Sequence, residues 1–64
     1  MSFDINAIAK NAIAKMDRAS LNSLKSALDA YNRTGNMKYF EEIVKIIGQF
    51  DESDAQRVRR SGGR

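Results

Sequence analysis

The stretch Met37-Lys38-Tyr39-Phe40-Glu41-Glu42-Ile43-Val44-Lys45-Ile46-Ile47-Gly48-Gln49-Phe50 decides the fold. At about 100° per residue, Met37, Tyr39, Phe40, Ile43, Val44, Ile46, Ile47 and Phe50 fall on one half of a helical wheel. Lys38, Glu41, Glu42, Lys45 and Gln49 fall on the other half. The apolar arc spans about 180°, wide enough to pack against two neighbours at once. The spacing therefore predicts a helix over residues 37 to 50 at the centre of a small bundle. Glu41 and Lys45, four apart in the favourable order, add about 0.3 kcal/mol on its wet face.

Working upstream, Asn32-Arg33-Thr34-Gly35-Asn36 is the clearest punctuation in the chain. Gly35 suits a left-handed helix terminus and Asn36 suits the N-cap of the next helix. Before it, Leu21, Leu24, Leu28 and Tyr31 are spaced 3, 4 and 3, which predicts a helix over residues 18 to 32. Ile5, Ile8, Ile13 and Met16, with Ala9 and Ala12 between them, predict another over residues 5 to 16, capped by Asp4 or Ser2. The step of five from Met16 to Leu21 breaks register, so a break is expected near residues 17 to 20, with Asp17 or Ser20 as N-cap. One bent helix is the alternative. Asn6-Ala7-Ile8-Ala9-Lys10 is repeated with one residue-type identity per position as Asn11-Ala12-Ile13-Ala14-Lys15. Five residues is not a helical period, and the copies face about 140° apart, so the repeat reads as alanine-rich composition.

Downstream, Ser53 and Gln56 fit a capping box, which predicts a short fourth helical turn reaching Arg60 with Val58 as its only anchor. The fold class is thus all-α: a small three-helix bundle with a short fourth turn. Residues 1–56 form the helical domain, and residues 57–64 a basic tail expected to be disordered and separable from the fold.

Ala27-Leu28-Asp29-Ala30-Tyr31-Asn32-Arg33-Thr34-Gly35-Asn36, with the helix after it, resembles a single helical hairpin of the tetratricopeptide kind, through Ala27, Tyr31 and Gly35. The neighbouring repeat and the closing proline are missing, and such solenoids need about three units to bury a core. No family is assigned on this basis.

A chain of 64 residues makes at most one domain and buries only about 60% of the surface that its unfolded form exposes. With no Cys and no His, disulfides and soft-metal sites are unavailable as reinforcement, which leaves association. A homo-oligomer is expected. Met1-Ser2-Phe3-Asp4 opens the chain without the basic start and apolar run of a secretory signal. No apolar run approaches the roughly 20 residues of a membrane span. A cytoplasmic protein is expected.

The missing His and Cys also remove a conventional triad, a thiol dyad and a zinc cluster. Glu41 and Glu42 point about 100° apart and cannot face one substrate together. Asp51, Glu52 and Asp54 lack the spacing and glycine of a calcium loop, and read as negative charge favouring a helix start. No enzyme activity, metal or cofactor is expected. Ser20, Ser23 and Ser26 recur every three residues without a base to activate them, and read as a small polar flank that lets another helix approach.

The function expected is a noncatalytic protein-binding module, acting as an inhibitor, adaptor or assembly component. Small size suits a phage or mobile-element accessory protein. Tyr31, Met37, Tyr39 and Ile46 are the candidate protein-binding residues, because apolar bodies with wet edges are common at interfaces. The alternative rests on Arg57, Arg59, Arg60 and Arg64. These four of the eleven basic residues leave seven bases against eight acids on the rest of the chain. Flexible arginines contact phosphates, so nucleic acid is the alternative partner.

Overall fold

The computed structural model describes residues 4–63, with side chains from Asp4 to Ser61. Ser2, Phe3 and Arg64 lie outside the described residues. Five helices follow one another: α1 (Ile5–Ile8), α2 (Lys10–Lys15), α3 (Arg18–Thr34), α4 (Met37–Gly48) and α5 (Glu52–Gly63). Among the described residues there is no strand, and the fold is all-α.

α4 occupies the centre, packed against α3 on one side and α5 on the other, as its wide arc requires. Phe40, Ile43, Val44 and Ile47 form its buried face. They meet Leu24 and Ala27 of α3 and Ala55 and Val58 of α5 in one cluster. α1 and α2 make an N-terminal arm laid against α5, with α2 also touching α4.

The helix ends follow local chemistry. The break at residue 17 is present: Asp17 is extended and its carboxylate accepts the Ser20 N–H at 2.9 Å, which caps α3. Gly35 takes φ 70° and donates its N–H to the Tyr31 carbonyl at 2.7 Å. The Asn36 side chain then accepts the Lys38 N–H at 3.0 Å to start α4. α3 runs two residues beyond its expected end, to Thr34, whose hydroxyl donates to the Ala30 carbonyl. α4 stops at Gly48, and Gln49 and Phe50 complete the turn instead of extending the helix.

The N-terminal helix differs from its expected form. The expected single helix over residues 5 to 16 is divided at Ala9, which sits at φ −116° and ψ 36°. The buried series is Ile5, Ala9, Ala12 and Met16, while Ile8 and Ile13 are only half-buried. Two alanine methyls at the contact let the backbone of the arm come close to α5. A continuous helix would bond the Ala12 N–H to the Ile8 carbonyl. Here the Asp54 carboxylate of α5 takes it instead, through Oδ2 at 2.8 Å.

α5 is longer than one turn, and the boundary expected after Gln56 falls inside it. Its N-cap is Asp51, which accepts the Asp54 N–H at 3.0 Å, so the Ser53–Gln56 box is not used; Gln56 bonds to Glu52. Val58 is completely buried, Ala55 nearly so, and Asp54 is 0% exposed. Glu52 and Asp54 in the first turn and Arg60 in the last match the helix dipole. Residues 57 to 61 therefore belong to the folded body: Val58 had two companions, Ala55 and Asp54, that apolar periodicity does not register.

Candidate interaction surfaces

α3 and α4 cross with an open groove between them. Two adjoining hollows of about 430 and 280 Å³ share Ser23, Glu42 and Ile46. Tyr39, Ser26, Ala27 and Asn22 extend one end, and Ala19, Ser20 and Gln49 extend the other. The sequence places small residues here on α3 at helical spacing, so α3 presents little side-chain bulk on this flank. α4 supplies the apolar wall: Tyr39 and Ile46, seven apart, lie within about 20° of each other on the helix. Both are half-buried. Ser20, Ser23 and Ser26, read from the sequence as a small polar flank, all line this groove.

The four candidate protein-binding residues do not converge. Tyr39 and Ile46 share the groove, whereas Met37, nine residues before Ile46, projects about 180° away from it on α4. Met37 is 46% exposed, the one large apolar side chain so exposed among the described residues. Tyr31 is half-buried and packs its ring against Phe40, with centroids 5.6 Å apart and planes tilted by 47°. Tyr31 thus contributes to the core. Serines 23 and 26, Asn22 and Glu42 join the surface; only the three-residue serine spacing pointed toward them in advance.

The arginines also divide. Arg57 approaches buried Asp54 at 3.3 Å, and Arg59 approaches Glu41 of α4 at 3.7 Å. The Arg57 contact is a charge contact without hydrogen-bond geometry, since Asp54 Oδ1 has no hydrogen-bond partner. Arg57 and Arg60 share one face of α5 and, with Ser61, border a cleft against Ala7 and Ile8 of the arm. Arg59 lies about 200° around the helix from Arg57. Arg64 lies outside the described residues, so no single face of four arginines is formed by those described.

Carboxylates near the helix starts are held in the charged form. Hydrogen bonding from Ser20, by its side chain and then its backbone, lowers the Asp17 pKa below its ordinary 3.8. The Asp54 backbone N–H, followed by Lys15, does the same for Asp51. The Lys15 ammonium lies 3.1 Å from Asp51 Oδ2 and 3.4 Å from the Phe50 carbonyl, tying α2 to the turn between α4 and α5. No group of three or more acidic side chains among the described residues is arranged to hold a metal ion. No helix among them is long and apolar enough to cross a membrane. The chain matches no protein-family model, no curated protein and no solved structure.

Proposed function

We propose that this chain is a small noncatalytic helical module that binds a protein partner through the groove between α3 and α4. The observation that carries the reading is the pairing of Tyr39 and Ile46 on one wall with Ser23, Ser26 and Ala27 on the other. Half-buried apolar side chains facing a low, small-residue wall give a partner side chain both an anchor and room to enter. The absence of His and Cys supports a role without catalysis. An inhibitor, adaptor or assembly component works in this way, and self-association of a chain this small draws on the same surface. The phage or mobile-element setting rests on size alone.

The alternative of one nucleic-acid face built from all four arginines has less support, because Arg57 and Arg59 face different sides of α5 and Arg59 approaches Glu41 of α4. The test is capture from the native host lysate with wild-type chain and with Ile46→Gln. A defined protein retained by the wild type and lost from the variant, with a cooperative melt retained, is the expected result. Retention of the same protein by both moves the interface elsewhere, and co-purifying nucleic acid released by high salt favours the alternative.

A further inference from the structure

We propose that Arg57, Arg60 and Ser61 form an oxyanion seat that takes a phosphate group in the cleft between α1 and α5. This site is separate from the α3–α4 groove and does not depend on it. The cleft has a volume of about 450 Å³ and is bordered by Ala7, Ile8, Arg57, Arg60 and Ser61. Arg57 and Arg60 are one turn apart, so their guanidinium groups reach the same space.

The two arginines play different parts. Asp54 is 0% exposed and fixed by the Ala12 N–H, and its Oδ1 lies 3.3 Å from the Arg57 guanidinium. A guanidinium has five N–H donors in a rigid fork, and one edge against Asp54 leaves the others for a ligand. Arg57 is half-exposed, with 50% of its side chain open to solvent. A planar fork matches a phosphate bidentately. Arg60 takes part in none of the ion pairs among the described residues, so none of the carboxylates described there offsets its charge. The seat is therefore net positive even with Asp54 beneath it. Ser61 adds a hydroxyl donor, and Ile8 gives an apolar side against which the body carrying the phosphate can rest. A phosphate monoester fits this set better than a carboxylate, because two forks and a hydroxyl offer more donors than two carboxylate oxygens use.

The test is an amide-resolved NMR titration of the full chain with inorganic phosphate at constant ionic strength, balanced with chloride. Saturable shifts at Ile8, Arg57, Arg60 and Ser61, without change at Ser23 or Ile46, are expected. Arg60→Gln should weaken phosphate binding about tenfold, while Lys25→Gln on exposed α3, which removes the same charge, should leave it unchanged. Both variants should melt like the wild type. A response that does not saturate, that chloride reproduces, or that Lys25→Gln weakens equally, overturns the proposal. Vesicles of phosphatidylcholine with phosphatidic acid, and a short DNA duplex, then assign the source of the phosphate. Arg60-dependent binding to vesicles marks a lipid headgroup and to the duplex a nucleic-acid backbone; phosphate binding with neither marks a small phosphate ester.

Discussion

Asp54 caps Ala12 across 42 residues of sequence, its Oδ2 accepting the Ala12 N–H at 2.8 Å in the protein interior. Ala9, the N-cap residue of α2, has no side-chain oxygen to offer, and Ala12 is the third residue of that helix. An N-cap side chain ordinarily bonds to this position from within the same chain segment. Here the oxygen comes from the first turn of α5.

Asp54→Ala leaves the Ala12 N–H buried and unbonded, which costs about 1 to 3 kcal/mol, out of a total near the low end of about 5 to 15 kcal/mol. At roughly 4 to 8 °C per kcal/mol for a domain of this size, the melting temperature should fall by more than about 5 °C. Asp54→Asn keeps an acceptor oxygen and should fall less. Thermal melts followed by circular dichroism decide this, and equal losses in the two variants would show that the charge contact with Arg57 matters and the cap does not.

Removal of residues 57–64 should destabilise the protein strongly, lowering its melting temperature by more than about 6 °C. The sequence alone led to the opposite expectation, that fold and tail are separable. Yet Val58 is 0% exposed within the core cluster, and burying a valine side chain contributes about 1.5 kcal/mol or more. The deletion also strips Arg57 from buried Asp54. A cooperative melt near the wild-type temperature in the truncated chain would place Val58 outside the stabilising core.

Acid should destabilise the fold through Asp17 and Asp51. Both have folded pKa values below the unfolded one, so each contributes stability that is fully present above the unfolded value. That contribution disappears as pH falls through the lower, folded value. The melting temperature should therefore hold steady from neutrality to about pH 5 and drop below about pH 4. Asp17→Asn and Asp51→Asn should melt lower at neutral pH and show a shallower acid limb.

Ile46 and Ile47 are adjacent but should respond to a polar side chain by very different amounts. Ile47 is 0% exposed, and Ile47→Asp buries an unpaired carboxylate at a cost of several kcal/mol, comparable to the whole stability. Ile46 is half-buried on the groove, so Ile46→Gln should lower stability by less than about 1 kcal/mol. Circular dichroism of the pair at one temperature separates a core residue from a surface one.

Gly35→Ala should cost about 1 kcal/mol. A methyl at Gly35 meets no atom within 4 Å, so the whole loss comes from its φ of 70°. Gly35→Asn, which tolerates that conformation better, should lose less by chemical denaturation.

The wide arc of Met37 to Phe50, the left-handed Gly35 and the Asp17 cap were legible because each signal lies within a few residues of its effect. The division at Ala9 was not, because its cause, Asp54, lies in another helix and leaves no trace in local periodicity. α5 was underestimated for the same reason: its inward face is Asp54, Ala55 and Val58, of which only Val58 reads as apolar and bulky. At the groove, Tyr39 and Ile46 could be named from spacing alone. The separation of Met37 and the packing of Tyr31 on Phe40 required knowing which flank of α4 each neighbour takes.

The cap on Ala12 also sets an order of events during synthesis. A ribosome makes the α1–α2 arm first, but the oxygen that completes α2 is not translated until Asp54 emerges, after the whole α3–α4 hairpin. In the interval the hairpin has its own side-chain caps and a local partner, whereas the arm has only the Asp4 cap of α1 and no side-chain cap on α2. The arm, made before the hairpin, is thus among the last elements to settle, and a released fragment ending before Asp54 should leave its arm open to proteases while α3 and α4 still pair.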